Sequence, residues 1–126
     1  MKAAISLLAG IAIATAACFS ERTAGPAATL AVCSVPVTVI DSMHYLVAIR
    51  DFLYYPDSIA VPTGATVSWV NCEPTGTEPH TTTSDAPGWD SGEMFTGARF
   101  SHTFTTQGAF PYHCTQHVMA AKIVVQ

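Results

Sequence analysis

The chain has 126 residues, a length that suggests one domain. It carries 5 Lys and Arg residues against 9 Asp and Glu residues, which gives a formal net charge of −4 at pH 7. This mildly acidic balance argues against a nucleic acid as partner and against binding to a membrane surface through a polybasic patch.

The N-terminal segment has the composition of a secretion signal. Met1 and Lys2 give a short basic start, and residues 3–19 are uncharged and mostly apolar. Because this run is short for a membrane span, we interpret residues 1–17 as a signal peptide. Two processing routes fit the sequence. Residues 15–18 resemble a lipobox in which Cys18 is lipidated, with Thr where an aliphatic residue is usual, and the Ala-rich end also suits ordinary signal peptidase.

The signal assignment divides the chain into three parts. Residues 18–33 are small and polar with Pro and Gly, which is typical of a tether. Residues 34–126 form the predicted folded domain. We therefore expect an exported protein of the periplasm or cell envelope, which touches the membrane only if Cys18 carries a lipid anchor.

Short β segments follow one another along the domain. Apolar residues alternate or β-branched residues cluster in several runs, predicted as strands over residues 35–40, 45–50, 58–61, 66–71, 99–105, 109–114 and 121–126. Residues 51–57 break the pattern with aromatic residues and a proline, and residues 73–97 form a long polar stretch. Short strands with frequent turn signals predict an all-β sandwich.

The chain contains four cysteines, and export permits disulfide formation. Cys18 is the lipidation candidate and Cys114 lies in the motif described next. Cys33 and Cys72 then form either a disulfide or two small buried thiols.

A cluster of metal-binding residue types lies near the C-terminus. Residues 112–119 read Tyr-His-Cys-Thr-Gln-His-Val-Met, between two predicted strands. A thiolate, an imidazole and a thioether within one loop favour copper, since sulfur ligands are soft and imidazole is borderline. A second imidazole would complete a trigonal site of two histidines and a cysteine with a weak axial methionine. His80, which follows the predicted strand 66–71, is the candidate.

The order of these landmarks resembles the cupredoxin family, which includes plastocyanin, amicyanin and pseudoazurin. The resemblance covers about residues 45–126 and is carried by the segments 50–52, 55–64, 67–71, 79–81, 90–92, 100–108, 112–117, 119 and 122–125. It implies a Greek-key β-sandwich that holds one type 1 (blue) copper ion at one end. His80, Cys114 and His117 match the three strong ligands of the family.

Met119 matches the axial methionine in kind, with one departure. Val118 alone separates His117 from Met119, whereas relatives have a longer spacing. Either the loop tightens so that Met119 reaches the metal, or the axial position is weak or empty. Thr81 and Thr115 each follow a ligand, and we expect them to clamp the two ligand loops together.

The resemblance implies a one-electron carrier and not an enzyme. Such a protein, a monomer, would cycle copper between Cu(I) and Cu(II) and bind redox proteins, such as a cytochrome or a reductase, transiently through the surface around His117. The alternative is a periplasmic copper-handling protein, which could be a chaperone, a scavenger or a resistance factor. Enzymes of the multicopper oxidase or nitrite reductase type need further copper centres, and the sequence offers one site.

Overall fold

The computed structural model describes residues 33–34 and 38–126. The predicted signal peptide, Cys18 and nearly all of the predicted tether therefore lie outside the described residues. Within the described part, no helix is both long enough and apolar enough to cross a membrane.

The described residues contain eight strands: β1 (His44–Arg50), β2 (Leu53–Tyr55), β3 (Ser58–Val61), β4 (Thr66–Asn71), β5 (Thr83–Ser84), β6 (Arg99–Thr103), β7 (Gly108–His113) and β8 (Ala120–Val125). They form two four-stranded sheets, with the orders β2-β1-β4-β6 and β3-β8-β7-β5. Each sheet contains one parallel pair, β1 with β4 and β3 with β8. The chain crosses between the sheets repeatedly, and the predicted all-β Greek-key sandwich is confirmed.

The core lies between the sheets because one face of each long strand is apolar. In β4, Val67 and Trp69 are fully buried, as their alternation predicts. Tyr112 of β7 and Ile123 of β8 meet them from the other sheet. Tyr112 and Trp69 pack edge to face at 5.5 Å between ring centroids. The core therefore runs along β7 up to the residue that follows it, Cys114.

Three parts of the predicted strand pattern differ from the structure. β2 lies inside the expected break at residues 51–57, and β5 lies inside the expected polar loop. Of the predicted strand 35–40, residues 35–37 lie outside the described residues, and Val39 makes an isolated bridge to Tyr45. β5 is held by its pairing with β7, a long-range contact that a local pattern of two residues cannot show.

The disulfide between Cys33 and Cys72 is confirmed. It joins the end of the predicted tether to the residue that follows β4. The amide of Leu46 also donates to the carbonyl of Thr38 at 2.6 Å. Both contacts tie the segment before β1 to the domain.

Candidate metal centre

Three side chains with metal-binding atoms meet at one end of the sandwich. Cys114 follows β7 directly, His117 lies in the short loop to β8, and His80 lies in the connection between β4 and β5. Pairing of Thr83 with His113 sets the His80 loop beside the end of β7. Residues that are 34 positions apart in sequence thereby become neighbours.

The three candidate ligand atoms form a compact group. Cys114 Sγ lies 3.9 Å from His80 Nδ1 and 3.6 Å from His117 Nδ1. All three atoms lie within 4.8 Å of one another. His80 is fully buried, Cys114 is nearly so, and His117 is partly exposed. The spacing fits a single ion between one thiolate and two imidazoles, the ligand set that suits copper.

The predicted threonine clamp is confirmed. The backbone amide of Thr81 donates to Cys114 Sγ at 3.3 Å, and the amide of Thr115 donates to Thr81 Oγ1 at 2.9 Å. The Tyr54 hydroxyl donates to the Thr81 carbonyl at 2.5 Å. An N–H directed at the sulfur stabilises a thiolate, and the other two bonds fix the position of that N–H.

The ligand loop is closed at its base by backbone hydrogen bonds. The amide of Cys114 donates to the carbonyl of Met119 at 3.1 Å, and the amide of Met119 donates to the carbonyl of His117 at 2.8 Å. This tight turn buries Met119 in the core and leaves Val118 fully exposed. The single-residue spacing is therefore compatible with an inward methionine, and its role as a ligand stays a prediction.

Burial sets the electrostatics around His80. Loss of solvent lowers the pKa of His80, and the neighbouring His117 lowers it further. Glu73 opposes this shift, with Oε1 at 3.3 Å from His80 Nε2. A neutral imidazole is the form that binds a metal, so the surroundings favour the ligating state.

Two residues that the sequence reasoning did not assign to the site contact the histidines. Phe52 packs edge-on against His80 at 5.2 Å and against His117 at 5.0 Å between ring centroids. Glu73 lies in what was predicted as the start of a polar loop. An acid two residues after a buried strand and seven residues before a candidate ligand is the signal that could have drawn attention to it.

The other three histidines lie apart from this group. His44 bonds to Asp41, His113 bonds to Asp85, and His102 stacks on Trp89. Trp89 is buried because it inserts between Trp69 and His102, a contact across the fold that the surrounding polar residues do not reveal.

A β-sandwich with two histidines and one cysteine grouped at its end is the architecture of a small copper protein. The family model of copper-binding proteins of the plastocyanin/azurin family matches residues 42–126. The chain belongs to that family, as the resemblance predicted, and its cofactor is copper. Among curated protein sequences, none matches the chain.

Solved structures agree with this assignment. A purple cupredoxin from Nitrosopumilus maritimus matches with 25% identity and a TM-score of 0.59, over 64% of this chain and 98% of that chain. The Cu(I) form of an amicyanin variant matches with 32% identity and a TM-score of 0.61, over 70% of this chain and 86% of that chain. A copper-containing nitrite reductase from Thermus scotoductus also matches, with 26% identity and a TM-score of 0.60, over 64% of this chain. The match covers 22% of that enzyme, so the similarity extends to one part of it.

Proposed function

We propose that the protein is a one-electron carrier that binds one type 1 copper ion through His80, Cys114 and His117. Met119 is the proposed weak axial ligand. The observation that supports this most strongly is the compact group of one sulfur and two imidazole nitrogens, with the Thr81 amide aimed at the sulfur. Bound copper would supply the Cu(I)/Cu(II) couple.

The protein holds the candidate ligands in place before copper binds. Two loops hold the candidate ligands, and hydrogen bonds from the amides of Thr81 and Thr115 join those loops. The Tyr54 hydroxyl of β2 anchors the first loop through the Thr81 carbonyl. Ligands fixed in this way change position little when the metal changes its charge, and a buried thiolate is kept from water. Both properties favour electron transfer over ready exchange of the metal.

The proposed route for electrons passes through the surface around His117. Exposed Phe52 and Val118 lie beside that imidazole. Asp51 adjoins Phe52, and Glu78 Oε2 lies 3.7 Å from His117 Nε2. An apolar contact bordered by acids suits a basic redox partner, such as a cytochrome or a reductase, bound weakly and briefly. The protein would act as a monomer and without a catalytic step of its own.

Export to the periplasm or cell envelope completes the proposal. The Cys33–Cys72 disulfide fits an oxidising compartment. The signal peptide at residues 1–17 and the lipid anchor at Cys18 are proposals from the sequence, and the anchor would keep the carrier near a membrane redox chain.

The visible spectrum of the Cu(II)-loaded protein tests the assignment. Wild type should show an intense thiolate-to-Cu(II) charge-transfer band, and Cys114→Ser should abolish it because the sulfur is lost. His44→Gln is the matched control, since His44 is exposed and lies apart from the cluster. A blue spectrum would support a weak axial Met119, and a green one would indicate that the short loop alters the axial geometry. Copper bound without such a band would contradict the proposal and favour the copper-handling alternative.

A further inference from the structure

Glu73 is a buried acid shared by two parts of the site. It follows β4 closely and is 4% exposed. Its Oε1 accepts a hydrogen bond from the backbone amide of Phe52 at 2.7 Å and lies 3.3 Å from His80 Nε2. The Glu73 amide in turn donates to Asn71 Oδ1 at 2.9 Å. One carboxylate oxygen therefore joins the β1–β2 turn to a candidate copper ligand.

The contact with His80 determines which ring nitrogen carries the proton. Nε2 faces the Glu73 carboxylate, while Nδ1 faces Cys114 Sγ at 3.9 Å. An acceptor at Nε2 keeps the proton on that nitrogen and leaves the Nδ1 lone pair directed toward the sulfur. The ring is held in the orientation and tautomer that a ligand requires.

The contact with Phe52 holds a conformation that this residue disfavours. Asp51 and Phe52 have φ values of 52° and 57°. Left-handed backbone is disfavoured at residues other than glycine, so this turn needs an interaction that compensates for it. The bond from the Phe52 amide to a carboxylate is of the stronger, charge-assisted kind. In this conformation the Phe52 ring covers both His80 and His117.

We propose that Glu73 is the positioning residue of the copper centre, because one carboxylate oxygen both orients His80 and holds the Phe52 turn over the two histidines. This inference rests on the copper assignment proposed above. The simpler alternative is that Glu73 only stabilises the β1–β2 turn. The two hypotheses differ in whether removal of the carboxylate charge changes the properties of the bound copper or only the stability of the fold.

Glu73→Gln is the sharpest test, because glutamine has nearly the same shape and keeps an oxygen for the Phe52 amide. Loss of a buried negative charge beside a ligand should favour Cu(I) over Cu(II). We expect the ratio of the Cu(I) affinity to the Cu(II) affinity to rise about tenfold. For a one-electron couple this raises the reduction potential by about 59 mV. Outer partners of ligating histidines typically alter metal affinity about 10- to 100-fold, so the Cu(II) affinity should also fall.

Glu78→Gln is the matched control. Glu78 also lies near a candidate ligand, with Oε2 at 3.7 Å from His117 Nε2, but its side chain is 83% exposed. Because water screens such a charge, its removal should change the ratio of the Cu(I) and Cu(II) affinities less than about twofold. A shift in Glu73→Gln no larger than that in Glu78→Gln would overturn the proposal, even if the stability of Glu73→Gln fell.

A second measurement does not depend on copper. In the copper-free protein, hydrogen exchange followed by NMR should show a protected Phe52 amide and a slowly exchanging His80 Nε2 proton. Glu73→Gln should retain the Phe52 protection, and Glu73→Ala should speed exchange of that amide about tenfold, as loss of one hydrogen bond predicts. An unprotected His80 Nε2 proton in wild type would contradict the positioning role. A wild type without the charge-transfer band but with both protected protons would instead place the error in the copper assignment.

Discussion

Tyr54 shows how a residue outside the ligand group can support it. The hydroxyl is buried and donates to the carbonyl of Thr81, whose amide donates to the Cys114 sulfur. Burial raises the pKa of Tyr54, as do the nearby Cys114 and Tyr112, so the hydroxyl keeps its proton and remains a donor at neutral pH. A single phenol thus anchors the peptide whose amide donates to the Cys114 sulfur.

Tyr54→Phe should therefore destabilise the fold measurably. It leaves the buried Thr81 carbonyl without this donor, and loss of such a bond costs about 1–2 kcal/mol. Urea unfolding of the copper-free protein measures the change. Tyr55→Phe serves as the control because Tyr55 is exposed, and it should change the free energy of unfolding by less than about 0.5 kcal/mol. Equal effects in the two variants would show that the Tyr54 hydroxyl adds nothing to stability.

At the residue scale, the grouped atoms of His80, Cys114 and His117 were predictable, because their types and spacing are chemically specific. Glu73, Phe52 and Tyr54 were not predicted as part of the site. A glutamate in a polar stretch is usually solvated, and only the fold shows that Glu73 is buried beside His80. Trp89 follows the same logic, since its burial depends on partners in other strands.

The element that departs most from expectation is the hairpin of β1 and β2. Arg50 pairs with Leu53, so Asp51 and Phe52 alone form the turn. Two-residue hairpins with both central residues left-handed usually contain asparagine or glycine, and this one contains neither. The sequence pattern therefore indicated a break, whereas β3 and β4, with regular alternation and a Pro-Thr-Gly turn between them, were predicted with their observed limits.

Asp51→Val tests how strained this turn is. A β-branched residue tolerates positive φ less well than aspartate, so we expect a loss of about 1 kcal/mol in the free energy of unfolding. Asp57→Val is the control for the lost charge, because Asp57 is exposed and its φ is not positive. Thermal or urea unfolding compares the two. If Asp57→Val were as destabilising as Asp51→Val, backbone conformation would not be the cause.

At the scale of the whole molecule, the Cys33–Cys72 disulfide is a long-range covalent constraint. Cys33 and Cys72 are separated by 39 positions, and their bond closes the chain around the four strands β1 to β4. The pairing could be proposed from the number of cysteines and the expected export. No local sequence pattern indicated that the segment before β1 packs against the domain.

Removal of the disulfide should lower stability without disturbing the metal group. The double variant Cys33→Ser with Cys72→Ser should lose about 2–4 kcal/mol, mainly because the unfolded chain gains freedom. Urea unfolding, with chemically reduced wild type as the matched comparison, measures this loss. The charge-transfer band should persist, since Cys72 is not one of the grouped residues. Loss of the band in a folded double variant would show that the metal site depends on the disulfide.

The closed base of the β7–β8 loop has a consequence for variation within such proteins. His113 pairs with Ala120, and the Cys114 amide donates to the Met119 carbonyl. These contacts close the loop at the point where it leaves the sheet. Insertions or deletions between His117 and Met119 are then absorbed inside the loop, and the strand register beyond it is unchanged. Loop length becomes a variable that evolution or protein engineering can alter independently of the scaffold. The single residue between His117 and Met119 in this chain is one such loop length.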